Sequence, residues 1–120
     1  MKKIGILFGK ERSFPLAFVE KINSKNIPGI TAEPVHISKA PQGEPSGYAV
    51  IIDRISEDVP FYRTWLKNAA LMGAAVLNNP FWWSADDKYF NNCLMTRVGV
   101  PVPKTVILPS NELPTDTSNE

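Results

Sequence analysis

The feature that most constrains this chain is the alternation of short apolar runs with segments whose apolar residues recur every three or four positions. Five runs predict β-strands: 4–8, 31–37, 48–52, 74–77 and 104–108. Three helices are predicted to begin at capping residues near Ser13, Asp58 and Ser84. Because strands that alternate with helices build layered sheets, the sequence predicts an α/β fold with three layers. Its sheet is expected to be mostly parallel, with helices on both faces.

The helical segments carry apolar stripes that predict which faces are buried. The first stripe is Phe14, Phe18 and Ile22. The second is Phe61, Trp65, Leu66, Ala69 and Met72. The third is Phe90, Cys93, Leu94 and Val98. The uniformly apolar run 48–52 predicts a central strand.

Length and composition predict one domain over residues 1–108, followed by a polar linker or disordered tail over 109–120. The 13 basic and 12 acidic residues nearly balance, which argues against a nucleic-acid or membrane partner recognised by bulk charge. No apolar run approaches the roughly 20 residues of a membrane span. The single cysteine, Cys93, excludes an internal disulfide and favours a cytoplasmic location.

Several common sites are absent from the sequence. It has neither a glycine-rich phosphate loop nor the three spaced glycines of a dinucleotide site. His36 and Cys93 are too few for a zinc site; we expect His36 at the surface and Cys93 in the core. Ligands of parallel sheets bind beyond the carboxyl ends of the strands, which here are 9–13, 53–60 and 78–84.

Two segments at these strand ends resemble a known family. The first, 53–63, reads Asp-Arg-Ile-Ser-Glu-Asp-Val-Pro-Phe-Tyr-Arg. The second combines Asn-Asn-Pro at 78–80, Asp-Lys at 87–88 and Gly-Val-Pro-Val-Pro-Lys-Thr at 99–105. Together they resemble the N-terminal domain of ATP-grasp enzymes, a Rossmann-like preATP-grasp domain. The most similar groups are the glutathione synthetases and the ligases that add glutamate to a ribosomal protein. The resemblance covers the whole chain in order and is strongest over 49–108.

The resemblance implies that the full-length parent is an ATP-dependent carboxylate–amine ligase. Such enzymes phosphorylate a carboxylate and let an amine attack the acyl phosphate, with Mg²⁺ neutralising the phosphates. The expected partners are a small-molecule or peptide carboxylate, an amine and a C-terminal ATP-grasp domain, and a homo-oligomer is possible. The second ATP lysine and the magnesium ligands of the family would lie beyond residue 120. We therefore expect these 120 residues alone to hold no cofactor and to be inactive.

In these families the lysine of an acidic–lysine pair contacts ATP phosphate, and Lys88, after Asp87, is the matching residue. A lysine in the first turn of a helix opposes the helix dipole, so its position is better explained if an anion binds there. The resemblance therefore predicts that Lys88 binds phosphate. The alternative is a solvated surface lysine.

Arg54 matches an arginine near the acceptor substrate of the glutathione synthetase group. A guanidinium can bind a carboxylate or a phosphate through two parallel hydrogen bonds. The alternative is a structural ion pair with Asp53, Glu57 or Asp58. Arg63 closes the same matching segment and is also predicted to contact substrate.

Arg12 and Lys10 lie between the first strand and the first helix, where helix N–H groups favour anions. Arg12 is therefore a third predicted substrate contact, and a solvated loop charge is its alternative. The consecutive aromatic residues Phe81, Trp82 and Trp83 either line a cleft, pack on the absent domain or cap the core.

A second function class stays open: a stand-alone α/β binding or protein-interaction module without catalysis. A receiver-like module would need an acidic cluster at the strand ends, and Asp53 is the only acid placed to serve. An aromatic loop that docks a partner would suit an interaction module.

Overall fold

The apolar runs of the sequence form the strands of one parallel sheet. A computed structural model describes residues 1–82 and 87–109, and the chain divides into two units, Met1–Trp83 and Ser84–Glu120. The first unit contains β1 (Lys2–Leu7), α1 (Ser13–Ser24), β2 (Ile30–Pro34), β3 (Val50–Asp53), α2 (Pro60–Leu71) and β4 (Ala75–Leu77). The second contains α3 (Lys88–Arg97).

The sheet has the strand order β2-β1-β3-β4, and every neighbouring pair is parallel. The chain steps from β1 to β2 in one direction along the sheet and from β3 to β4 in the other. Right-handed crossovers therefore place α1 and α2 on opposite faces. This arrangement confirms the predicted three-layer α/β fold and the central position of β3.

The face under α2 carries the larger core. Leu7 and Ile51 from the central strands pack with Trp65, Leu66 and Ala69, the middle of the predicted α2 stripe. Leu66 and Ile51 are fully buried. The two ends of the predicted stripe, Phe61 and Met72, are instead 55% and 41% exposed. A helix of 12 residues is longer than the neighbouring strands of three and four residues, so its ends extend past the sheet.

On the opposite face, α1 packs along the edge strand β2. Ile6, Ala32 and Pro15 are buried there. The Asn23 side chain donates to the Ala32 carbonyl at 2.9 Å and accepts from the Ala32 N–H at 2.8 Å. One asparagine of the helix thus satisfies both backbone groups that an edge strand leaves unpaired. Phe14 is 45% exposed, so the predicted α1 stripe is only partly buried.

Both predicted helix caps in the first unit are wrong, and proline explains each case. The residue before α1 is Arg12 rather than Ser13, and no side chain caps the helix. If Ser13 were the cap, Pro15 would be the second residue of the helix. A cap side chain accepts a hydrogen bond from the backbone N–H of the second or third helical residue, and proline has no N–H. In α2 the cap position is Val59 rather than Asp58, because a residue before proline is held in extended backbone.

The second unit differs most from the sequence prediction. Asp87 caps α3 by accepting from the Phe90 N–H at 2.9 Å, whereas Ser84 lies outside the described residues. No residue of α3 is buried, and the predicted core cysteine Cys93 is exposed. A unit of this size has too few side chains to build a core of its own.

The predicted fifth strand is absent over its whole length. Residues 101–109 form neither strand nor helix, and Val106, Ile107 and Leu108 are 80%, 63% and 81% exposed. A strand needs a hydrogen-bonded neighbour, and prolines at 103 and 109 directly flank the predicted segment, so backbone pairing cannot be continued by donors at either position. The predicted tail lies outside the described residues, apart from Pro109.

Within the described part of the chain, no helix has the length and apolar character needed to cross a bilayer.

Candidate functional site

The strand order reverses direction between β1 and β3, which lie side by side at the centre of the sheet. The connections that leave their carboxyl ends run to α1 and α2 on opposite faces of the sheet. Open α/β sheets bind ligands at this switch point. We call the region formed by residues 8–14 and 53–58 the switch crevice.

Arg54 is held at the crevice by its backbone. Its N–H donates to the Leu7 carbonyl at 2.9 Å, which continues the pairing of β3 with β1 by one residue. The side chain is therefore directed from a fixed point beyond the sheet. It is 41% exposed, so it remains accessible to a ligand.

The Arg54 side chain binds the Glu11 carboxylate through two parallel hydrogen bonds. Nε donates to Oε2 at 2.6 Å, and Nη2 donates to Oε1 at 2.8 Å. The Glu11 hydrogen bonds raise the pKa of Arg54 above its already high value, so the guanidinium is charged wherever the protein is folded. The contact joins the loop after β1 to the loop after β3, across the crevice.

Phe14 supports the guanidinium from one side. Its ring centroid lies 4.8 Å from the Arg54 Cζ, and its ring also contacts Phe18 at a centroid distance of 5.9 Å. An aromatic face attracts a cation through its quadrupole and leaves the in-plane N–H groups free to donate. The exposed position of Phe14 on α1, which departs from the predicted buried stripe, is therefore part of the crevice.

The alternative given for Arg54, a structural ion pair, is present, but its acid is Glu11 rather than Asp53, Glu57 or Asp58. Asp53 turns away: its Oδ1 accepts from the Ile55 and Ser56 N–H groups at 3.1 and 2.9 Å, and its Oδ2 accepts from the Ser56 hydroxyl. An aspartate that closes its own turn in this way has little capacity left for a cation. Glu11 fills the role instead, 43 residues away in the sequence.

Gly9 brings the two loops of the crevice into close contact. A Cβ built on Gly9 would lie 2.4 Å from Ile55 Cδ1, well inside contact distance. The loops that carry Glu11 and Arg54 are consequently packed together. Their separation is set by this packing rather than by the ion pair alone.

Arg63 and Arg12 occupy different positions around the crevice. Arg63, in α2, donates from Nη2 to the carbonyls of Ser56 and Glu57 at 3.2 and 3.4 Å, so it braces the loop that follows Arg54. Arg12 is exposed at the N-terminus of α1, with Lys10 exposed two residues earlier. Their predicted substrate contacts stay predictions.

Lys88 belongs to the second unit, where it is the first residue of α3 and is exposed. Its role toward phosphate stays a prediction. The same unit has an open groove of about 560 Å³ between α3 and residues 102–105. The Asn92 amide donates to the Thr105 hydroxyl across this groove at 2.8 Å. A hydrogen bond with the exposed Cys93 thiol raises the pKa of the Tyr89 hydroxyl in its wall.

The aromatic residues after β4 are exposed where the structure describes them. Phe81 and Trp82 are 54% and 60% exposed, and the Phe81 N–H donates to Asn79 Oδ1 at 2.9 Å. Such exposure contradicts the alternative in which these side chains cap the core. Trp83 lies outside the described residues.

Over residues 1–82 and 87–109, no group of three or more histidine, cysteine, aspartate or glutamate side chains could hold a metal ion. Comparison with known proteins found no matching family, no similar curated protein and no similar solved structure.

Sequence reasoning located Arg54 and the strand-end segments but missed Glu11 and Phe14. Both residues fall within or beside the predicted strand-end segment 9–13, where only the cations Lys10 and Arg12 drew attention. Carboxyl ends of adjacent parallel strands lie at one edge of a sheet, so the acid in that segment was within reach of Arg54.

Proposed function

We propose that this chain is the N-terminal α/β domain of an ATP-dependent carboxylate–amine ligase, in which the switch crevice contacts the carboxylate of the acceptor substrate. The observation that carries the proposal is the position of Arg54, a partly exposed guanidinium at the switch point of the sheet with the Phe14 ring against it. Its ion pair with Glu11 shows that a carboxylate fits the Nε and Nη2 donors of this side chain. The motif resemblance adds the reaction type.

In this proposal the residues of the chain bind and orient rather than catalyse. Arg54 fixes a carboxylate in the plane of its guanidinium, with Phe14 behind it. Arg63 keeps the loop after β3 in place, and Arg12 adds positive charge at the start of α1. Lys88, whose ammonium group lies on the exposed surface of α3, contacts the phosphates of ATP.

The cofactors of the proposed reaction would be held mainly by other parts of a longer protein. ATP supplies the phosphoryl group, and Mg²⁺ would neutralise its charge. Residues 1–82 and 87–109 contain no cluster that fits a metal, and Lys88 is a single contact for ATP. The exposed Cys93 thiol suits a reducing compartment, so the proposed location is the cytoplasm.

The test uses the protein in the length in which its cell makes it. Phosphate release from ATP is measured with a panel of carboxylates, with and without amines, and acyl phosphate is trapped with hydroxylamine. The proposal expects release that requires a carboxylate and yields a hydroxamate. Release that is independent of any carboxylate, or no release with any member of a broad panel, would count against it.

One observation favours the second function class. Phe81, Trp82 and Leu77 are each more than half exposed on the first unit, a pattern that suits a surface for protein interaction. A non-catalytic interaction module would show no carboxylate-dependent phosphate release. Trp82→Ser should abolish partner binding if the chain is an interaction module. If the chain is a ligase domain, phosphate release in the same variant should still depend on a carboxylate.

A further inference from the structure

Glu11 occupies the Nε–Nη2 edge of the Arg54 guanidinium, one of the two edges through which an arginine can bind a carboxylate with two hydrogen bonds. Its Oε1 and Oε2 each accept one hydrogen bond, at 2.8 and 2.6 Å, which is the in-plane geometry of a bound carboxylate. A second carboxylate cannot take the same two N–H groups at the same time. Any ligand that binds Arg54 in this manner must therefore displace Glu11.

We infer that Glu11 is an internal competitor for the switch crevice, and that a carboxylate ligand binds Arg54 by exchanging with the Glu11 side chain. The inference rests on the proposed function for the place where the carboxylate binds. It adds the residue that sets the affinity and the selectivity of that place. A ligand that offers two in-plane acceptor oxygens can replace both hydrogen bonds that Arg54 loses when Glu11 leaves.

The exposure of the pair makes this exchange accessible. The side chains of Arg54 and Glu11 are 41% and 35% exposed, so water can solvate both when they separate. An ion pair this exposed favours its closed form over its open form by no more than about fivefold. Added salt screens the attraction further, so Glu11 weakens a ligand without excluding it.

Other contacts keep the site assembled when Glu11 leaves. The backbone N–H of Arg54 is bonded to Leu7, and the ring of Phe14 lies against the guanidinium. The close approach of Gly9 to Ile55 is a second contact between the two loops besides the ion pair. Arg54 therefore keeps its position, and the exchange requires only a rotation of the Glu11 side chain.

The neighbouring acids do not replace Glu11 as competitors. Asp53 accepts three hydrogen bonds within its own turn. Glu57 and Asp58 are exposed, and the acid that pairs with Arg54 is Glu11. Removal of the Glu11 charge should accordingly leave both donor positions of Arg54 open.

The test measures binding of glutarate, a mimic of the glutamate side chain, to the 120-residue chain at low ionic strength. Binding is followed by the backbone amide NMR signals of residues 8–14 and 53–58, which every variant keeps. The signal of the Arg54 Nε–H group, assigned by its loss in Arg54→Lys, reports the contact itself wherever Arg54 is present. Glutaramide, which has the same shape and no charge, is the ligand control. Glu20→Gln, on the exposed surface of α1, is the matched protein control because it removes the same charge elsewhere.

Glu11→Gln is expected to bind glutarate more tightly than the unmodified chain, by up to about fivefold, with Glu20→Gln unchanged. Combining Arg54→Gln with Glu11→Gln should abolish the gain. Equal glutarate affinity in Glu11→Gln and the unmodified chain, with binding still dependent on Arg54, would overturn the competitor role and leave the proposed carboxylate contact standing. Binding that does not depend on Arg54 in any variant would overturn the competitor role and the proposed contact together.

Discussion

The core under α2 can be tested with two leucines on the same helix. Leu66 is fully buried between α2 and the sheet, whereas Leu71, at the end of that helix, is 75% exposed. Leu66→Ala and Leu71→Ala make the same chemical change in the same helix. The change in helix propensity is therefore nearly the same for both. The difference between their losses in free energy of unfolding then reports the burial of Leu66.

The magnitude follows from the exposed fractions. Leu→Ala removes three carbon groups, each worth about 0.8 kcal/mol when fully buried, or about 2.4 kcal/mol in total. The cavity left in the core raises the cost of Leu66→Ala to about 3–4 kcal/mol. Leu71 is 75% exposed, so only about a quarter of the burial free energy of its three carbon groups is lost, roughly 0.5 kcal/mol. The better helix propensity of alanine offsets part of this loss.

Urea denaturation followed by tryptophan fluorescence measures both changes, because Trp65 lies in the same core. The expected difference in the free energy of unfolding between the two variants is about 3 kcal/mol, with similar denaturant slopes. A difference below about 1 kcal/mol would refute the reasoning, since α2 would then not be packed on the sheet through Leu66.

Three further predictions concern single contacts. Asn23→Ala should lower the free energy of unfolding by about 1–3 kcal/mol, because it leaves both backbone groups of Ala32 unpaired; urea denaturation would show no loss if solvent replaced the amide. Burial raises the pKa of Tyr48, against a smaller opposing hydrogen bond from the backbone, and the bond its hydroxyl donates to Glu33 adds to the rise. The folded state therefore keeps a proton that the unfolded state loses above about pH 10, and stability should fall as pH rises beyond that point. The free energy of unfolding, measured by denaturation at pH 8 to 11, should therefore depend less steeply on pH in Tyr48→Phe. An unchanged pH dependence would show that other groups cause it. The 120-residue chain should bind ATP with millimolar or weaker affinity, because Lys88 is one exposed contact; micromolar binding by calorimetry would contradict this.

The sequence predicted those parts of the fold that depend on local pattern. The runs before Gly9 and Asp53 are buried strands, and their apolar character is visible without any knowledge of their neighbours. Trp65 and Leu66 share a face at helical spacing and are both buried. The position of Arg54 at a strand end followed from the same reasoning.

The features that were missed depend on contacts between distant residues. Nothing in the pattern around Glu11 or Arg54 shows that they pair across 43 positions, because only the strand order brings them together. The apolar run at 104–108 resembles a strand, but a strand forms only where a neighbour offers hydrogen bonds. The same reasoning applies to Cys93, which lies on a predicted apolar helix face but is exposed among the described residues of its unit.

The most direct test of the account is the effect of Arg54→Ala on the two substrates of the proposed ligase. Steady-state kinetics are measured on the protein in its natural length, with Lys88→Ala as the matched variant and thermal melts to show that both remain folded. Loss of the two-bond carboxylate contact should raise KM for the carboxylate at least about tenfold and leave KM for ATP within about twofold. Lys88→Ala should mainly weaken the use of ATP. An unchanged KM for the carboxylate in Arg54→Ala, or equal losses toward both substrates, would contradict the assignment of the switch crevice to the carboxylate.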